Sequence, residues 1–167
     1  MKRLLPILLF LFIAVIIVLI YTSIKEEQQS ITVVSGNTEM KPLAIEINKT
    51  NDMQCSMLIK SIKNAAQVVA LDGRTWFFDD PGCMILWLED KPFKAKAKLW
   101  VHAVDVNEWI DAKKAYYGVR DRTQMHYGFG ARQMQNKDTI GYDEMRLRML
   151  RGENLTDPKV RKKLLDH

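Results

Sequence analysis

The sequence predicts an α+β domain behind a single N-terminal membrane helix, and three observations carry that prediction. An uncharged, strongly apolar run extends from Leu4 to Ile24. An Asp72-Gly73 pair separates two short apolar runs and is followed at once by a helix-start signature, Asp79-Asp80-Pro81-Gly82. Beyond a strand-rich middle, the C-terminal third turns to helical spacing.

At 1.5 Å of rise per residue, the Leu4 to Ile24 run reaches roughly 30 Å as a helix, the thickness of a hydrocarbon core. A secretory signal peptide has a shorter apolar region and a small-residue cleavage site, which Leu19-Ile20-Tyr21-Thr22-Ser23 does not offer. No cysteine lies near the end of the run, which excludes a lipid anchor attached there. Lys2 and Arg3 precede the run, whereas Lys25-Glu26-Glu27 after it form no basic cluster. The expected topology is a single-pass inner-membrane protein with its C-terminal domain in the periplasm. Residues 1–24 are read as the anchor, 25–39 as a polar tether and 40–167 as one domain, large enough for a single core.

Within the domain, Gln67 to Leu71 and Arg74 to Phe78 are predicted to pair across the Asp72-Gly73 turn. Asp79-Asp80-Pro81-Gly82 then supplies an N-cap and a proline for the first turn of a short buried helix over Cys83 to Leu88. Lys96 to Val106 alternates as a strand, and Trp109-Ile110 and Tyr116 to Val119 form further short strands. Gly128-Phe129-Gly130 marks a loop or strand edge where backbones approach closely. Tyr142 to Arg151 is helical, and Asp157-Pro158 opens a last basic helix from Lys159 to Leu165.

The formal net charge is +5, but from Thr22 onward 23 Lys and Arg face 20 Asp and Glu. These charges are scattered and lack aromatic stacking motifs, so nucleic-acid binding is excluded. The sequence carries no nucleophile elbow, phosphate-binding glycine loop, His-Glu-x-x-His or Cys-x-x-Cys. It is read as a non-enzyme on that ground.

The sulfur-bearing residues are more informative. Cys55 and Met57 stand two apart, so on an extended backbone both sulfurs face one way, as soft ligands for Cu(I) or as packing. Met125-His126 sits in a polar stretch and reads either as further ligands or as a loop methionine with a pH-sensitive neighbour. His102 lies in an apolar strand and His167 ends the chain; neither is a candidate. Cys83 reads as packing at the helix start, although two cysteines in an oxidising compartment ordinarily imply a disulfide.

Cys55-Ser56-Met57-Leu58-Ile59, Ala65-Ala66-Gln67, Asp72-Gly73, Phe78 to Met84, Trp87-Leu88, Trp109-Ile110-Asp111-Ala112, Ala115-Tyr116-Tyr117 and Thr123-Gln124-Met125, in that order, resemble the NosL family of nitrous-oxide-reductase accessory proteins. The resemblance covers about Asn51 to Ala131. It implies paired strand-hairpin and helix units in a fold related to organomercurial lyase. It also implies a membrane-tethered periplasmic Cu(I) chaperone that serves nitrous oxide reductase and its membrane-bound assembly machinery. Copper ligands carried over from the family fall on Cys55, Met57 and Met125. Ser56 and His126 stand where the family has glycine, and Gln124 where it has proline, which makes His126 a candidate fourth donor. Family members are commonly lipoproteins, whereas this chain is expected to use a helix. Two other readings stay open: a metal-free assembly factor with a Cys55–Cys83 disulfide, and a thiol-dependent enzyme acting through Cys55.

Overall fold

A computed structural model describes residues 4–25 and 30–165. Two compact units result, Met1–Ser30 and Ile31–His167. In the first, helix α1 spans Leu4–Lys25. Its described side chains, those of residues 9–20, cover about 18 Å of helix. Among the described residues no helix is long and apolar enough to cross a membrane. Lys2 and Arg3, on which the expected orientation rests, and His167 lie outside the described residues, as do 26–29 of the expected tether.

The rest of that tether belongs to the fold. Ile31 bridges Thr50, and strand β1 (Val33–Val34) pairs with β3 (Thr75–Phe78) as the outer strand of a sheet. The sheet has five antiparallel strands in the order β1-β3-β2-β4-β5, where β2 is Ala66–Val69, β4 Lys98–Ala103 and β5 Glu108–Asp111. The Asp72-Gly73 hairpin forms as expected, closed by Ala70 donating to Arg74 and Gly73 donating to Ala70. Gly73 has φ +79, and a Cβ there would crowd the Asn37 amide at 3.0 Å, so two separate constraints favour glycine.

Helix α2 (Pro81–Glu89) follows β3 directly. The Asp80 carboxylate accepts from the Gly82 amide at 2.8 Å and Pro81 begins the first turn, as the sequence signature predicts. Seven of its nine residues are buried, because the helix packs against β2 and β3 on one side and a later helix on the other. Trp76, Trp87, Phe78 and Phe93 pack with ring centroids 4.9 to 6.2 Å apart at this contact.

A second antiparallel sheet, β7-β6-β8, comprises Ala131–Arg132, Tyr116–Gly118 and Thr139–Gly141. It is joined to the first where Val104 donates to Ala131 at 2.9 Å. Helix α3 (Tyr142–Leu150) follows β8, and α4 (Pro158–Leu165) is capped by Asp157, which accepts from Lys159 at 2.7 Å. The domain is thus α+β with two antiparallel sheets, α2 following β3 of the first and α3 following β8 of the second.

Residues 37–47 form no regular structure and are held by side chains instead. Buried Gln67 accepts from the Leu43 amide at 2.9 Å and donates to the Leu43 carbonyl at 2.7 Å, while Trp100 Nε1 donates to Met40 at 3.0 Å. Replacing Gln67 with Ala removes both bonds and opens a void beneath the segment. Gln67→Ala is expected to destabilise the domain by roughly 2–4 kcal/mol in urea unfolding. A loss under about 0.5 kcal/mol would show that 37–47 is held by other means.

Candidate metal centre

Asp52 begins a tight loop. Its Oδ1 accepts from the amides of Gln54 at 2.6 Å and Cys55 at 2.9 Å, and the loop closes where the Asp52 amide donates to Met57 at 2.8 Å. Asp52 Oδ2 accepts from the Asp79 amide at 2.9 Å, and Met53 donates to Phe77 at 3.0 Å, fastening the loop to the end of β3. Ser56 has φ +63, so the chain turns there. Cys55 and Met57 therefore do not share one face of an extended strand, as the spacing alone would predict. Cys55 points inward and is half-buried, whereas Met57 is 47% exposed.

The inward turn brings Cys55 to the N-terminus of α2. One ligand atom each from Asp52, Cys55, Asp79 and Cys83 lies within 4.8 Å of the others. Ligands about 2.3 Å from a tetrahedral ion stand roughly 3.8 Å apart, so small side-chain shifts suffice to close this set around one ion. Cys83, read from sequence as packing, is fully buried and belongs to the cluster. Both cysteines are free, and no disulfide joins them.

A second loop meets the same helix end through Asp80. Its Oδ2 accepts from the Met125 amide at 3.2 Å, and the Thr123 side chain hydrogen-bonds to it as well. Met125 is half-buried against the core. His126, at φ +59, is exposed and stands outside the cluster. Of the four residues nominated from sequence, then, the structure places Cys55 in the cluster, Met125 on a loop bonded to the cluster's helix, and Met57 and His126 at the surface.

Asp52, Asp79 and Asp80 are all buried, and among the described residues none of them forms an ion pair. Asp79 Oδ1 is buried with no hydrogen-bond partner. Burial, reinforced by the Asp52 charge, pushes the Asp79 carboxyl up to about 8. Burial likewise raises Asp80 to about 6, against hydrogen bonds from Thr123, Gly82 and Met125 that pull it down. The Cys55 thiol is pushed up to about 11, by burial first and by Asp52 and Asp79 next, and burial drives Cys83 up further. Tyr127 covers this corner, resting on Gly82 so closely that a Cβ there would collide with its ring. Its hydroxyl is raised to about 12 by burial and by the surrounding acids and thiols.

Buried anions without a cation must hold protons or bind one. This corner therefore holds protons when empty and offers two thiols, a carboxylate and an unused carboxylate oxygen to a metal ion. The donor set fits a soft or borderline ion. Sequence reasoning passed over Asp52, Asp79 and Cys83 as ligands. Asp79-Asp80 reads locally as turn and cap, which is true of Asp80 alone. No family model and no curated protein matches the chain.

Two consequences are measurable. Asp52→Ala, compared with wild type at pH 5 where Asp79 is protonated, should cost roughly 3 kcal/mol or more, since three amides lose a carboxylate acceptor. A change under about 1 kcal/mol would show that the loop stays docked without it. The second consequence concerns pH. A carboxyl whose folded value is raised favours the fold fully below its unfolded value of 3.8 and loses that benefit as pH rises through the folded value. The urea midpoint of the metal-free protein should therefore fall from pH 4 to 8, and Asp79→Asn should flatten its upper half. An unchanged slope in Asp79→Asn would assign the effect elsewhere.

Proposed function

We propose that this protein is a carrier of a soft metal ion, Cu(I), which it takes up at the corner between the 52–57 loop and α2 and passes to a partner. The observation that supports it best is the convergence of two free thiols and two buried acids, one with an unused oxygen, with which no basic side chain among the described residues forms an ion pair. Thiolates select Cu(I), and the carboxylate extends the set toward borderline ions such as Zn(II). Graded exposure suits transfer. Cys83 lies at the bottom, Cys55 is half-buried above it and Met57 is open to solvent. An incoming ligand can displace one donor while the others keep hold of the ion.

The resemblance to the NosL family favours Cu(I) as the cargo and nitrous oxide reductase with its membrane-bound assembly machinery as the recipient. On this reading the apolar N-terminal helix anchors the domain in the inner membrane, facing the periplasm, and raises its local concentration near that machinery. No reaction is assigned to the protein itself. A second reading draws on the same closeness of the sulfurs: a metal-free assembly factor locked by a Cys55–Cys83 disulfide. Thiol titration before and after reduction separates the two.

Anaerobically purified, reduced full-length protein should bind one Cu(I) per chain in competition with a chromophoric chelator. Cys55→Ser and Cys83→Ser should each lower affinity by roughly a hundredfold or more, Met125→Ala and Met57→Ala by roughly tenfold or less. Because both thiols start protonated, affinity should rise by about one decade per pH unit for each proton released. Full Cu(I) affinity in Cys83→Ser would remove Cys83 from the site, and full affinity in Cys55→Ser would overturn the metal reading.

A further inference from the structure

The loop that carries Met125 has a second face, turned away from α2. There Arg120, Arg122 and His126 line a groove with Arg161 of α4, over Leu155 and Leu165, enclosing about 280 Å³. All three arginines are exposed, and among the described residues none pairs with a carboxylate. Asp121, the acid in the groove, is held by the Arg132 guanidinium in a two-pronged ion pair. Asp157, at the start of α4, is engaged by the Lys159 and Val160 amides. Among the described residues of the groove, positive charge is thus in excess.

Guanidinium groups gathered around a concave surface concentrate the field there and match carboxylates in a planar, two-bonded fit. Leu155, 8% exposed, and Leu165, 47% exposed, add an apolar floor that a simple anion would not use. A lipid surface fits less well. Val160 and Leu164 of α4 are half-buried in the domain, which leaves Leu165 as its single exposed apolar side chain, too little to insert between headgroups.

We propose that this groove docks an acidic peptide segment, carboxylates interrupted by an apolar residue, belonging to the protein that exchanges metal with the Asp52–Cys83 corner. The docking chemistry stands on the groove alone; the role in exchange rests on the metal reading above. Met125 and His126 are consecutive, so a segment bound beside His126 lies next to the loop that borders the metal corner.

The test uses the full-length protein in neutral detergent and a fluorescein-labelled hexapeptide, Glu-Glu-Leu-Glu-Glu-Leu, read by anisotropy. Arg122→Ala and Arg161→Ala should each weaken binding by roughly three- to fivefold, and the pair by roughly tenfold or more. Lys60→Ala and Lys137→Ala, equal losses of exposed charge elsewhere, should change it by less than about twofold. Replacing both leucines of the peptide with Ser should weaken it further. Equal losses in the lysine controls would overturn the proposal by showing attraction to net charge only. Binding that the arginine variants lose to vesicles containing anionic phospholipid, but keep to the peptide, would overturn it in favour of a membrane. Peptide binding in Cys55→Ser, measured beside Cu(I) binding in the same variant, separates the two claims. A Cys55→Ser variant that loses metal but keeps the peptide, beside a wild type that binds both, supports both claims; a wild type that binds the peptide but has no metal affinity leaves docking standing and removes its link to exchange.

Discussion

The carboxylate of Asp52 is the interaction on which the site depends. The loop from Asp52 to Met57 contains no helix, and its only ladder contact is the bridge from Asn51 to Leu58 at its base. Besides the Met53 to Phe77 bond, its place is fixed by three amides, two of its own and one from Asp79, converging on one side chain that is 1% exposed. Charge-assisted bonds of this kind contribute roughly 1.5–3 kcal/mol each, which offsets the cost of burying the anion and of turning the chain at Ser56. Asp80 does the same for the second loop, with Gly82 on one oxygen and Met125 on the other. Two adjacent loops are thereby docked onto the same end of α2, and the Cys55 sulfur is delivered there as a consequence.

Holding loops with buried acids has an electrostatic effect beyond the loops. The charges of Asp52 and Asp80 oppose ionisation of Asp79, and all three acids oppose ionisation of Cys83. The thiols of such a corner are held in the protonated form at neutral pH. A cation reverses the balance, since it attracts every group that the empty corner keeps neutral. Protonated when empty and anionic when loaded is the behaviour of a binding site whose affinity is set by exchange of protons for metal.

Local signals made much of the fold legible. The Asp72-Gly73 turn, the Asp80-Pro81 helix start and the Asp157-Pro158 cap each act within a few residues, and each appears where the sequence puts it. What the sequence did not disclose is held by long-range side-chain bonds: β1 beside β3, and 37–47 beneath Gln67 and Trp100. The site follows the same division. Cys55 was visible as a soft donor, but its meeting with Cys83 depends on a turn that no periodicity marks. The two glycines that the NosL resemblance would place at Ser56 and His126 were the clue, for both positions have positive φ, at +63 and +59. His126, a candidate fourth donor in the sequence, stands exposed and outside the Asp52–Cys83 cluster.

A residue such as His126 can serve the site without touching the ion. Its left-handed backbone lets the 119–126 loop turn back, its amide donating to Thr123 at 3.1 Å, so that Met125 is bonded to Asp80 while Arg120 and Arg122 line the opposite groove. One short loop therefore has two faces, one against the metal corner and one toward solvent. A left-handed non-glycine residue costs roughly 1–2 kcal/mol, which lowers the energy needed to rearrange this loop relative to its surroundings. Occupation of the solvent face can influence the metal face only if the two loop arrangements differ in affinity for the occupant. The arginines stand on the same loop as Met125, so a shift of Met125 away from Asp80 would also shift the guanidinium groups. Docking and release would then be linked through the loop backbone, with no signal passing through the core.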